Sequence, residues 1–196
     1  MTDEADRHKV LYIIVCAAGP AGDVGKLVTL AHQRGWDVQI IATPSALDFI
    51  DAQTLEAQTG RPVRSHHRKP GEPRSPKADA IIMAPATYNT INKWANGISD
   101  TYALGILAEA PGLGIPVVVL PFINSALATR RAFQNSINTL RDEGVRILLG
   151  PREFAPHDPG TGETFQDEFP WPLAMDEGER LYASPPRPTT SLPPVR

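Results

Sequence analysis

The chain holds one cysteine in 196 residues, Cys16, so it forms neither an internal disulfide nor a cysteine-rich metal site. Positive charge is not in excess. Nineteen Lys and Arg stand against 22 Asp and Glu, a net charge of −3, whereas a protein that grips nucleic-acid backbone needs a basic face. Apolar runs of bilayer length are missing, and the opening Met-Thr-Asp-Glu-Ala-Asp has no basic-then-apolar leader pattern. No nucleic acid and no membrane are expected as partners, and the cytoplasm is the expected compartment. Both nucleotide fingerprints are absent as well. There is no GxGxxG, and Gly19 and Gly25 have five residues between them where a P-loop has four, with Leu27 after Lys26. Cys, His and carboxylates do not cluster at metal-ligand spacing, and no internal repeat is present.

What the chain has is apolar residues, 41% of the total, arranged in short runs. Lys9 to Cys16 reads as a central parallel strand covered on both faces. A small-residue turn follows, then helical spacing over 24–34 that stops at Gly35. Val38 to Ala42 is a second strand, and Pro44 and Ser45 open a short helix carrying Leu47, Phe49 and Ile50. A third strand is expected at 80–84, with helices at about 88–96 and 101–110. Val117 to Leu120 is the next strand, 129–143 an amphipathic helix, and Val145 to Leu149 the last strand. Strands alternating with helices predict an α/β fold with a doubly wound parallel sheet in three layers, α/β/α. The expected division is a flexible N-terminus over 1–8, one domain over 9–150, and a Pro-rich, partly disordered C-terminal extension over 151–196. That extension holds ten of the 20 prolines, and its Phe169 to Leu173 cluster is apolar enough to pack. Residues 60–77 carry four prolines and six Lys or Arg, which reads as a basic loop.

The ligand of an open α/β sheet lies beyond the carboxyl ends of the strands, and several polar residues fall there. Pro85 to Asp100 follows the third strand, placing Asn89 and Thr90 at its end and Gly97, Ser99 and Asp100 at the next turn. The turn Ala18-Gly19-Pro20-Ala21-Gly22 precedes a helix N-terminus, which suits a mononucleotide phosphate or, equally, a tight turn without a ligand. Thr43 and Ser45 can donate to a phosphate or ribityl chain, or serve only as helix caps. Asn124 can grip a ligand or cap the following helix. His66 and His67, in the basic loop, are solvated surface residues or supply one general base. Cys16 reads as a buried thiol.

Together these segments resemble the homo-oligomeric flavin-containing cysteine decarboxylases, which include phosphopantothenoylcysteine decarboxylase and the lantibiotic peptide decarboxylases. The family's Pro-Ala-Ser-Ala-Asn-Thr signature stands here as Pro85-Ala-Thr-Tyr-Asn-Thr90, and Ala-Asn-Gly-Ile-x-Asp as Ala95-Asn-Gly-Ile-Ser-Asp100. The substrate clamp Pro-x-Met-Asn-x-x-Met-Trp stands as Pro121-Phe-Ile-Asn-Ser-Ala-Leu-Ala128. The resemblance implies a flavodoxin-like (Rossmann-like) fold that binds FMN between subunits of a trimer or a dodecamer of trimers. By position, Ala18, Gly19, Pro20, Ala21, Gly22 and Ser45 face the FMN phosphate and Phe49 lies near the flavin. Ala86, Thr87, Asn89, Ser99 and Asp100 complete the site, partly from a neighbouring subunit. Asn124 holds the substrate carboxylate, and the family's catalytic histidine matches His67, or else His66.

The implied reaction is FMN-dependent oxidation of a cysteine thiol to a thioaldehyde, followed by loss of the neighbouring carboxylate as CO2 to leave an enethiol. Three departures shape the expectation. The clamp's Met, Met and Trp become Ile123, Leu127 and Ala128. Tyr88 replaces a small residue beside Asn89, to stack on or crowd the flavin. The late cysteine with which phosphopantothenoylcysteine decarboxylases reduce the enethiol has no counterpart after Cys16. The last of these favours an oxidative decarboxylase acting on the C-terminal cysteine of a small peptide, whereas the altered clamp points toward a flavoprotein with another role. The alternatives are a flavoprotein of the same fold with another redox or binding role, or phosphopantothenoylcysteine decarboxylase itself.

Overall fold

A computed structural model describes residues 8–184. Five parallel strands, β1 (Lys9–Val15), β2 (Trp36–Ala42), β3 (Ala80–Ala86), β4 (Val117–Pro121) and β5 (Arg146–Ile147), lie in the order β2-β1-β3-β4-β5. The helices in chain order are α1 (Gly25–Gln33), α2 (Ala52–Thr59), α3 (Tyr88–Ala95), α4 (Tyr102–Glu109), α5 (Ser125–Ala128), α6 (Arg131–Asp142), α7 (Gly162–Phe165) and α8 (Trp171–Ala183). This is the flavodoxin-like strand order.

The apolar runs of the strands follow from burial on both faces. Successive side chains alternate across a strand. In β1, Leu11, Ile13 and Val15 pack with α1 and α8, while Val10, Tyr12 and Ile14 pack with α3, α4 and α6. β3 divides in the same way, Ile82 and Ala84 to the first layer and Ile81 and Met83 to the second. The α6 stripe of Phe133, Ile137 and Leu140 is buried at i, i+4, i+7 spacing.

Several expected bounds shift. The expected helix after Pro44 is a 3-10 turn over Pro44–Asp48. A separate α2 follows it, capped by Asp51, whose carboxylate accepts from Thr54 N–H at 3.1 Å, and closed at Gly60 with φ 67°. The expected helix over 129–143 is α6, and a short α5 precedes it. β5 is two residues rather than five, because after Leu148 N–H donates to Val119 C=O at 2.8 Å the chain turns away.

The C-terminal extension is corrected more substantially. Residues 151–184 are not a tail, because α8 closes the sheet face that α1 leaves open, burying Trp171, Ala174, Met175, Gly178 and Leu181. Phe169, next to it, is 3% exposed. Salt bridges fasten the same helix: Arg34 to Asp176 at 2.7 Å and Glu179 at 3.1 Å, and Arg146 to Glu177 at 3.1 Å. The expected disorder of 185–196 and, His8 apart, the expected flexibility of 1–8 lie outside the described residues.

Candidate functional site

At the carboxyl edge of the sheet, the chain leaves β1 toward the layer of α1 and leaves β3 toward the layer of α3. Adjacent strands whose exits diverge to opposite faces open a crevice between them, where open α/β sheets take their ligands. A cleft of about 300 Å³ lies here. Ala17 contributes from the end of β1, and Thr43, Pro44 and Ser45 from the end of β2. Thr87, Asn89 and Thr90 come from the start of α3 and Lys93 from its last turn, and Thr101 and Leu104 from the start of α4.

The lining divides into groups that hold the fold and groups left over. Thr87 caps α3, its hydroxyl 3.0 Å from that of Thr90. Thr101 caps α4, accepting from Leu104 N–H at 3.2 Å. Thr43 stands at the N-cap of the Pro44–Asp48 turn without using its hydroxyl there. Thr43 makes no side-chain cap bond, and the side chains of Thr43, Ser45 and Asn89 have no hydrogen-bond partner among the described residues. Their polar atoms therefore remain available to a ligand. Lys93 Nζ brings one positive charge, held by Asp100 Oδ2 at 2.6 Å. The N-termini of α3 and α4 add the partial positive charge of unpaired N–H groups. Neutral hydroxyls, an amide and two helix N-termini suit a hydroxylated, phosphorylated heteroaromatic group.

Cys16 ends β1 behind this wall, fully enclosed. Burial pushes its thiol up, against the opposing effect of Thr90 and Thr87, so it is no nucleophile.

The structure thus gathers Thr43, Ser45, Thr87, Asn89 and Thr90 from the sequence-derived set, and adds Ala17, Pro44, Lys93, Thr101 and Leu104. Other members of the set lie outside the lining. Ala18 precedes a 3-10 turn over Gly19–Asp23 in which Pro20 and Ala21 are buried. Gly19 meets Gln166 so closely that a Cβ there would stand 2.7 Å from its amide nitrogen, and Gly22 passes Phe49 C=O. Phe49 itself is 49% exposed. Ala86 is enclosed in β3, its C=O accepting from Phe122 N–H, while Ser99 and Asp100 are exposed in the α3–α4 loop. Tyr88 does not crowd the cleft: its ring stacks on Phe133 at 5.3 Å.

Asn124 caps α5, its Oδ1 accepting from Leu127 N–H at 3.0 Å, and its backbone pairs with His157. His66 and His67 are exposed on the basic loop, and His67 sets its ring edge-on to Tyr102 at 5.2 Å. Neither histidine lines the cleft. Among the described residues no group of His, Cys, Asp and Glu is arranged for a metal, and no helix is long and apolar enough to cross a membrane.

A flavodoxin-ordered sheet with a polar cleft at its switch point defines a mononucleotide-binding α/β protein. The Flavoprotein family matches residues 2–168, and the chain belongs to it. The bifunctional coenzyme A biosynthesis protein CoaBC of Vibrio vulnificus is 31% identical over 183 residues, covering 84% of this chain and 44% of that protein. The chain therefore spans less than half the length of that curated relative. Among solved structures, the FMN-dependent cysteine decarboxylase SpaF superposes with a TM-score of 0.67 at 22% identity, covering 91% of this chain and 98% of the other. The epidermin biosynthesis protein EpiD from Staphylococcus aureus superposes with a TM-score of 0.60 at 27% identity, covering 71% and 81%.

Proposed function

We propose that this flavoprotein binds FMN in the Thr43–Ser45–Thr87–Asn89 cleft and catalyses oxidative decarboxylation of the C-terminal cysteine of a peptide. The observation that carries the reading is the cleft itself. Part of its wall, Thr87 to Lys93, comes from the segment that holds the cysteine-decarboxylase signatures, and it presents three polar side chains without hydrogen-bond partners among the described residues.

FMN supplies a two-electron acceptor for the substrate thiol. The chain's part is to bind, orient and move protons. Thr43 and Ser45 hold the phosphate and ribityl hydroxyls, and Asn89 holds the flavin's polar edge. Lys93, fixed by Asp100, offsets negative charge. Asn124 receives the substrate carboxylate: its Oδ1 is committed to Leu127, which leaves the amide NH2 to donate. His67 is the base for the thiol proton, reaching from the Tyr102 side of α4. The substrate loses two electrons and two protons to become a thioaldehyde, and its carboxylate then leaves as CO2 to give an enethiol. Cys16 is the one cysteine of the sequence and is enclosed, so no thiol of this chain reaches the enethiol to reduce it. That supports the peptide reaction over the phosphopantothenoylcysteine one. The working form is a cytoplasmic trimer or dodecamer with FMN between subunits, which would bring Phe49 and the remaining family positions to the flavin.

One observation favours a second reading. Neither His66 nor His67 lines the cleft, which suits a flavoprotein with a different redox or binding role. Purification followed by absorption spectroscopy and mass spectrometry of the released cofactor tests the flavin. Incubation with cysteine-ended peptides then tests the reaction. Loss of CO2 plus two hydrogens supports the decarboxylase; bound FMN with every such peptide unchanged supports the second reading.

A further inference from the structure

The chain is net negative, yet residues 61–77 carry six Lys or Arg against one acid, Glu72. Three of them, Arg64, Arg68 and Arg74, line a pocket of about 380 Å³ whose walls also include His67, Tyr12 and Tyr102. Arg64 anchors the loop. Its backbone extends the edge of the sheet, with N–H donating to Ile40 C=O at 3.1 Å and C=O accepting from Ala42 N–H at 2.8 Å. Its guanidinium is mostly enclosed, bonded to the Glu72 carboxylate at 2.9 Å and Pro73 C=O at 3.1 Å. Across the pocket, Tyr12 donates to Pro76 C=O at 2.5 Å and pins the returning strand of the loop.

Of the three cations that line the pocket, two are left over. Arg68 donates only to Glu72 C=O, at 3.2 Å, and neither Arg68 nor Arg74 meets a carboxylate among the described residues. Arg61, by contrast, is spent on Asp37 at 3.1 Å. An adjoining depression of about 490 Å³ shares Arg64 and His67 and is also lined by Ser65. The Ser65 hydroxyl is buried and has no hydrogen-bond partner among the described residues. A buried orphan hydroxyl is costly unless something occupies it. Guanidinium forks, an imidazole and hydroxyls together match carboxylates in geometry and charge.

The pocket and the cleft take neighbouring residues at two places. Thr101 lines the cleft and Tyr102, the next residue, lines the pocket. On the other side, Arg64 pairs with Ala42, the residue before Thr43. An extended peptide advances roughly 3.3–3.6 Å per residue. A chain with its terminal cysteine in the cleft thus brings side chains about two to four positions earlier over Tyr102 and into the basic pocket.

We propose that the pocket between Arg64, Arg68 and Arg74 is a subsite for acidic side chains, so that the preferred substrate peptide carries Asp or Glu shortly before its C-terminal cysteine. This rests on the peptide-decarboxylase reading and adds a substrate class to it. The Arg64–Glu72 pair shows the loop already holding a carboxylate in this manner.

The test uses the full-length FMN-loaded protein and paired peptides ending in cysteine, with Asp or Glu at two to four positions before it, or Asn and Gln in their place. The acidic peptide should show a KM about tenfold lower at unchanged kcat, the sum of two charge pairs at a half-exposed site. The advantage should shrink with salt and vanish in the double variant Arg68→Ala/Arg74→Ala, whose turnover of the neutral peptide, FMN content and melting temperature stay at the parent's. Equal KM values for the two peptides, or an advantage that survives in the double variant, overturn the proposal. Calorimetric binding of the same peptides separates the subsite from the chemistry. Charge-dependent binding lost in the double variant upholds the subsite even where no peptide turns over. Binding of phosphopantothenoylcysteine that depends on Arg68 and Arg74, without preference for acidic peptides, assigns the pocket to a phosphate and overturns it.

Discussion

Lys93 Nζ and Asp100 Oδ2 stand 2.6 Å apart, tying the last turn of α3 to the loop that enters α4. The pair sits where both helices contribute to the cleft, so it sets the spacing of two walls as well as one charge. Asp100→Asn should weaken FMN retention by roughly three- to tenfold while costing little stability, as expected for a half-exposed pair. Titration of the apoprotein with FMN, followed by flavin fluorescence, measures this.

The Asn89 side chain has no hydrogen-bond partner among the described residues, so its removal should be felt chiefly by the ligand. Asn89→Ala should leave the melting temperature of the apoprotein unchanged and weaken FMN by about tenfold, the worth of one hydrogen bond to a desolvated polar group. An unchanged FMN affinity would remove Asn89 from the site.

Asn124 combines a cap with a proposed carboxylate contact, and two substitutions separate them. Asn124→Ala should cost about 1 kcal/mol through the lost cap. Asn124→Asp keeps an oxygen for Leu127 N–H and should hold stability within a few tenths of that of the parent. It replaces the donating amide with a carboxylate, so turnover should fall by at least about tenfold with FMN still bound. Turnover equal to the parent's in both variants removes Asn124 from the mechanism.

Burial pushes Cys16 and Tyr12 above their ordinary ranges. The folded state therefore holds those protons more tightly than the unfolded state does. Stability should be fully present below the unfolded thiol's value of about 8.5 and fall as pH rises past it, with tyrosine adding to the fall above about 10. Urea midpoints at neutral and alkaline pH should show this loss, and Cys16→Ala should reduce its first part. The thiol should also resist alkylation until the protein unfolds.

The C-terminal helix should behave as core. Trp171→Ala should cost about 3–5 kcal/mol. Gly178→Val should cost about 1–3 kcal/mol, because a Cβ there would stand 3.0 Å from Ile82 Cδ1. Arg180, and with it Arg146, holds the Glu177 carboxyl below the usual range, so its contribution is present above about pH 4.3 and is lost as pH falls through the folded value. Glu177→Gln should flatten the acid limb of stability. Chemical denaturation across pH checks all three variants.

What the sequence determined alone is local. β1 to β4 were legible because strands covered on both faces are continuous apolar runs. The Pro85–Asp100 segment was legible because cap residues and a helix start follow a strand directly. The α8 pattern of Trp171, Ala174, Met175, Gly178 and Leu181 was also present, masked by the prolines around it. The tertiary structure decided which of these pieces meet. Lys93, Thr101 and Leu104 join Thr43 and Ser45 only because the exits of β1 and β3 diverge to opposite faces of the sheet. His66 and His67 fall beside the cleft rather than in it because Arg64 docks on the edge of β2 and carries the loop outward. Asn124 becomes a cap because α5 starts there. Periodicity and turn chemistry act over a few residues, whereas these placements come from strand order and from packing between segments tens of residues apart.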